Sequence, residues 1–238
     1  MKTTITKYMP ANILAGLLLF TGQLLITSCT QNQPTDAVAT SLQIDARELV
    51  PDDKFHESLE SFAKEDYSKS AAAIEAAATQ MEQLSTLAGD KQRANILSSV
   101  ADLRDLATNV AVDKVDGIQE LNYYFALAGK ALAGVYAQST ETYYFNLQGR
   151  LAGEELQKAI EQVERILRYH GKEPGSEDKK LLDDLRSYAT QLREGAPSTN
   201  KEMQDWLTLL QAFLEREEGD LDAQFATIAN KRKVVIHK

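Results

Sequence analysis

The stretch "NYYFALAGKALAGVYAQSTETYYFN", Asn122 to Asn146, carries the triplet Tyr-Tyr-Phe twice, at Tyr123 to Phe125 and at Tyr143 to Phe145. Between the triplets, "QSTET", Gln138 to Thr142, interrupts the apolar seam but holds neither Gly nor Pro to end a helix. Twenty residues at 100° each make 2000°, or 200° after whole turns, so on one straight helix the triplets face nearly opposite sides. A single aromatic stripe is therefore excluded. The reading that follows is one long helix whose buried face switches sides at the polar interval, with an aromatic cluster in each of two cores. The alternative is a break at "QSTET" that folds everything into one compact bundle.

Working outward, the chain beyond Asp53 has few breakers and is rich in Ala, Leu, Glu, Lys and Gln, with apolar residues at three-and-four spacing. Ile74, Ala77, Met81, Leu84 and Ala88 form one stripe, and Leu156, Ala159, Val163, Ile166 and His170 form another, 82 residues later. The same shift lays "DLRDLATNV", Asp102 to Val110, on "DLRSYATQL", Asp184 to Leu192. It also lays Leu121 on Met203, Tyr124 on Trp206, Leu127 on Leu209 and Leu132 on Leu214, the pattern of a duplicated unit.

The predicted fold is all-α: an antiparallel helix bundle of two tandem three-helix units, 54–149 and 150–238, sharing a long central helix. The segments are Tyr67 to Leu87, Lys91 to Ala111 and Val115 onward, then Arg150 to His170, Ser176 to Arg193 and Lys201 to about Ala229. In the third segment, Ile118, Leu121, Phe125, Ala128, Leu132 and Val135 make the seam. Gly171 suits a helix C-terminus, with His170 capping the last carbonyls, and short loops make neighbouring helices antiparallel.

The N-terminal segment reads as an address. Lys2 and Lys7 precede the apolar run "ILAGLLLFTGQLLI", as in a secretory signal, and the run ends at "ITSC". Ile26, Thr27, Ser28 and Cys29 resemble the lipobox of bacterial lipoproteins: an aliphatic residue, two small residues and the cysteine. That resemblance implies cleavage after residue 28 and lipidation of Cys29, the only cysteine in the chain. More than one acyl chain gives stable anchoring. In lipoproteins of the kind the lipobox resembles, Thr30 in place of an Asp after the cysteine implies the outer membrane of a Gram-negative cell. Residues 29–53 read as a flexible, polar tether; the alternation in "LQIDARELV" has the pattern of a short strand.

The formal charge is −9, and loss of Lys2 and Lys7 takes it to −11, which argues against nucleic acid as a partner. Three histidines and no free thiol in the mature chain leave common nucleophile and base pairs scarce. "DKFH", Asp53 to His56, has the spacing of a Glu-x-x-His metal motif, but its second copy fails, because Leu167 stands three before His170. Arg104 and Arg186, in the paired "DLR" segments, read as solvated positions beside core leucines. "EREEGD", Glu215 to Asp220, lacks the ligand order of a calcium loop, and its Gly219 marks a helix irregularity. No cofactor and no metal are expected.

These features suggest a lipid-anchored, non-enzymatic envelope protein that binds another protein or serves a structural role, with the protein partner unspecified. The second reading is a carrier of a small apolar ligand or metal ion. Tyr123, Tyr124, Tyr143, Tyr144 and Trp206 are the candidate ligand-binding or interface residues.

Overall fold

The computed structural model describes residues 51–236. The signal segment, Cys29 with its lipobox and "LQIDARELV" lie outside them. Seven helices follow in order: α1 (Asp52–Ala63), α2 (Tyr67–Ser85), α3 (Asp90–Ala111), α4 (Ile118–Phe145), α5 (Gly149–His170), α6 (Ser176–Arg193) and α7 (Asn200–Ile236). No strand occurs among the described residues, and the helices pack as an all-α bundle.

Local chemistry sets several of these ends. The Asp66 carboxylate accepts from the Lys69 N–H at 3.1 Å and caps α2. Thr199 and Glu202 form a capping box at the start of α7: Thr199 N–H donates to Glu202 Oε2 at 2.8 Å, and Glu202 N–H donates to Thr199 Oγ1 at 3.2 Å. Gly171 ends α5 at φ 68°, and the N–H groups of Gly171 and Lys172 donate to the carbonyls of Arg168 and Leu167. That pair of bonds is the Schellman arrangement, which a residue with a Cβ adopts only at a cost.

Two boundaries differ from expectation. Asp52 and Asp53 belong to α1 rather than to a tether ending at 53, and α1 is a separate helix that the three-segment scheme omits. Its Phe55, Leu59 and Phe62 carry helical spacing, and Phe55 is fully buried. α7 also continues past Ala229 to Ile236, straight through Gly219.

α4 is continuous through "QSTET". Thr140 and Thr142 donate their hydroxyls to the carbonyls of Tyr136 and Gln138 one turn back, at 2.8 and 3.0 Å. Gln138 Oε1 accepts the N–H of Gly89 at 3.0 Å, which satisfies the N-cap residue of α3. The polar interval thus ties two helices together rather than ending one. The chain turns only after Phe145, and α5 then packs antiparallel along α4. Tyr169 lies edge-on to Phe125 at 5.8 Å between ring centres, and Lys158 Nζ lies 5.4 Å from the centre of the Tyr136 ring.

α4 touches α1, α3, α5 and α7, and the buried apolar residues of all seven helices form one contiguous core. No break in packing falls at 149/150, because α5, the first helix of the expected second unit, lies against α4 along its length. Both expected stripes are buried in full. The 82-residue shift also carries contacts onto contacts. Arg104 of α3 donates to Glu82 of α2 at 2.7 Å, and Arg186 of α6 is bonded to Glu164 of α5, the equivalent pair. Leu103 and Leu185, Val110 and Leu192, and Leu132 and Leu214 are buried pairwise, whereas Leu127 is half-buried and Leu209 exposed. Ile118, expected in the seam of α4, lies in the solvent-facing first turn instead.

The triplets lie in different surroundings. Phe125 is fully buried and stacks on Phe55 at 4.5 Å. Tyr144 is half-buried at the other end of α4 and donates its hydroxyl to the Ser198 carbonyl at 2.7 Å. Phe125→Ala should destabilise by about 3–5 kcal/mol as a core truncation, and Tyr144→Phe by about 1 kcal/mol through loss of one hydrogen bond. In a urea-unfolding double-mutant cycle the two should add within about 0.5 kcal/mol, since the residues share no partner.

Candidate functional site

The five aromatic residues singled out from the sequence divide between the two ends of α4. At its start, Tyr123 stacks on Phe225 of α7 with ring centres 4.0 Å apart, and Tyr124 meets both rings edge-on. The Tyr123 hydroxyl donates to Asp222 Oδ1 at 3.1 Å. Burial and the neighbouring Asp222 carboxylate push that phenol above its usual range, and burial together with Glu120 and nearby aspartates does the same for Tyr124. At the other end, Tyr144 shares Ser198 with Tyr188, whose hydroxyl lies 2.5 Å from Ser198 Oγ, and Trp206 tilts against Tyr188 at 5.8 Å. Tyr143 packs half-buried on the core beside them. The five therefore do not line one chamber.

The first cluster borders a crevice of about 160 Å³ between the start of α4, the end of α5 and α7. Tyr123, Tyr169, Leu221 and Phe225 supply its apolar walls, and Gln119, Asn122, Arg168 and His170 its polar lining. Burial pushes the Tyr169 phenol up to about 12. The titratable groups of the lining other than the two phenols are Arg168 and His170, while the nearest carboxylates, Asp222 and Glu217, stand behind Tyr123 and His170. The chemistry suits a small molecule with an apolar body and a hydrogen-bond acceptor or anionic end.

His170 does not cap α5 with its side chain as expected; the backbone of Gly171 and Lys172 does that work. The imidazole is buried and turns toward Glu217 of α7, with Nδ1 and Oε2 3.5 Å apart and neither atom hydrogen-bonded. Glu217 interrupts an otherwise apolar seam of Met203, Leu210, Leu214 and Leu221. The other charges of "EREEGD" are paired across to neighbouring elements: Arg216 with Asp178, Glu218 with Lys130 and Asp220 with Lys172. Gln211 donates to Glu215 at 2.9 Å. Lys172 also lies 3.7 Å from Glu217 Oε2 and Arg216 3.4 Å from Glu217 Oε1, so the acids of that run share cations with one another.

A second polar cluster, which the sequence does not announce, lies between α1 and α5. Asp52 Oδ2 accepts from Gln162 Nε2 at 2.8 Å and forms an ion pair with Arg165 at 2.9 Å, while Asp52 Oδ1 and Gln162 Oε1 are buried without donors. Burial raises the Asp52 carboxyl above its ordinary value, against the lowering effect of Arg165 and Gln162. Protonation would turn one carboxyl oxygen into a donor in a place that lacks donors. His56 of "DKFH" instead faces Glu60 at 3.1 Å, both well exposed, and no group of three or more potential metal ligands occurs among the described residues.

The chain matches no protein-family model, no curated protein and no solved structure.

Asp52 sets a pH signature. A carboxyl whose folded pKa is raised binds its proton more readily in the folded state, so its contribution to stability grows as pH falls through that raised value toward the ordinary one. Wild type should therefore gain on Asp52→Asn when urea-unfolding free energies measured near neutrality are compared with those in mild acid. Contributions from other carboxylates largely cancel in the difference. A difference that is flat or shrinks in acid would show that burial does not dominate at Asp52.

Proposed function

We propose that the protein is a lipid-anchored component of a Gram-negative cell envelope, held at the outer membrane through acylated Cys29. Its helical bundle acts without catalysis, as a protein-interaction or structural module. The observation that carries this reading is "ITSC" at the end of a basic-fronted apolar run, with the sole cysteine of the chain at the position the lipobox requires. The matched Arg104–Glu82 and Arg186–Glu164 pairs support a scaffold made by duplicating a helical unit. Such a scaffold presents long helical faces to a partner. No nucleic acid is proposed as that partner, given the charge of −9.

The carrier reading stands second, favoured by the crevice beside Tyr123 and Phe225. Its apolar walls and its Arg168 and His170 lining suit a small amphipathic molecule better than a metal ion.

Mass spectrometry of protein extracted from membranes separates the two. The denatured protein should begin at Cys29 and carry a diacyl- or triacyl-glyceryl mass, and Cys29→Ala should abolish that mass and release the chain from salt-washed membranes. If Cys29→Ala stays membrane-bound, the anchor reading fails. Under native conditions, a stoichiometric non-covalent adduct would favour the carrier, whereas the interaction reading expects the bare acylated mass.

A further inference from the structure

The two ends of the bundle are built differently. At one end, the turn between α4 and α5 holds two apolar side chains in solvent: Phe145 is 46% exposed and Leu147 is 94% exposed. The α6–α7 loop lies against this turn through the Tyr144–Ser198 bond and adds exposed Ala196 and Pro197. Behind this tip stand the half-buried rings of Tyr143, Tyr144 and Trp206.

Leu147 is hard to explain by folding alone. It sits at φ 60°, in the left-handed region. The other positive-φ positions among the described residues are Gly117, Gly171 and Gly195, together with polar Glu65 and Asp113. Glycine or asparagine would fit such a turn with less strain. Leucine buries almost nothing there in return, so its apolar side chain calls for a contact outside the fold.

The opposite end also exposes apolar residues, Val112 and Ile118. What separates the ends is where the chain enters. Asp52 meets Gln162 and Arg165 of α5, and three residues later Phe55 stacks on Phe125 beside Tyr169, so α1 runs away from the tip. The N-terminus of α1 is therefore its tip-facing end. From Gly149 to Gln162, α5 rises about 20 Å at 1.5 Å per residue. Residues 30–51, between Cys29 and Asp52, span at most roughly 75 Å at about 3.4 Å per residue. A bilayer holding Cys29 is thus within reach of the tip, toward which the N-terminal end of α1 points.

We propose that Phe145 and Leu147 dock into the glycerophospholipid surface to which Cys29 tethers the chain, so that the bundle stands on its α4–α5 turn. This rests on the lipid-anchor reading. The two side chains enter the acyl boundary, and Tyr143, Tyr144 and Trp206 lie near headgroup depth, where rings with one polar edge are favoured. The net acidic charge gives no electrostatic pull toward anionic lipid, so the contact is apolar and short.

The test uses the full acylated chain in vesicles of phosphatidylethanolamine and phosphatidylglycerol that contain a nitroxide-bearing lipid. Acylation blocks Cys29, so a fluorophore on Gln148→Cys reports the tip alone, and one on Lys114→Cys reports the opposite end. The tip label should lose most of its emission to the nitroxide, the Lys114→Cys label should keep most of its own, and Phe145→Ser with Leu147→Ser should restore the tip signal. All of these positions are exposed, so the fold is spared. If the protein floats with the vesicles but the two labels are quenched alike, or if the serine pair changes nothing, the docking proposal is wrong and the anchor stands. If the protein fails to float, both fall. An emission change that needs no nitroxide and scales with protein density would assign the tip to a second copy of the chain, which also overturns the proposal.

Discussion

Everything in this bundle depends on how closely other helices approach α4. Four helices touch it, and from Ala126 to Ala137 its sequence is mostly alanine, glycine and a few larger apolar residues. Its small residues leave room for the side chains of its neighbours: a Cβ on Gly134 would lie 2.6 Å from Gln92 Oε1 of α3, and one on Gly129 would lie 3.2 Å from Ile166 Cγ1 of α5. One layer out a backbone itself comes close, where a Cβ on Gly153 of α5 would fall 2.4 Å from the Ala189 carbonyl oxygen of α6. Large side chains at these crossings would force the helices apart and open voids that a close-packed interior does not tolerate.

Much of this was legible in the sequence because helical periodicity is local. The stripes from Ile74 to Ala88 and from Leu156 to His170 are buried as their spacing demands, and the absence of a breaker in "QSTET" correctly implies continuity of α4. What was hidden depended on partners far along the chain. The α4–α5 turn places Leu147, not glycine, at its left-handed position, so the residue that reverses the chain is not marked by its type, although Asn146 and Gly149 flank it. The expectation of two separate cores followed from the 200° between the triplets and the 82-residue repeat, whereas the reversal after Phe145 lays α5 against α4 and merges them. His170 has the sequence position of a cap, and only Glu217, 47 residues later, reveals that its side chain turns inward. Among the aromatics, spacing correctly kept the two triplets apart, but it could not place Phe225 on Tyr123.

The polar groups inside the bundle sit at joints. Asp52, Gln162 and Arg165 close the place where the chain enters α1, and His170 with Glu217 lies where α7 crosses the end of α5. Each cluster leaves a buried acceptor or ring nitrogen without a hydrogen-bond partner. Such groups cost stability wherever they are left unsatisfied, so these joints are weaker than the alanine-rich crossings at the centre. The bundle thus combines a firm middle with less secure attachments for its first and last helices.

The central claim is that α4 joins all helices to one core, so that the chain from α1 to α7 unfolds as a unit. Trp206, the sole tryptophan, reports the α6–α7 side, whereas far-ultraviolet circular dichroism reports every helix. Urea unfolding followed by both signals should give coincident transitions with one midpoint. A tryptophan transition that is complete while the helical signal is still only partly lost would mean two independent cores, and would contradict the account.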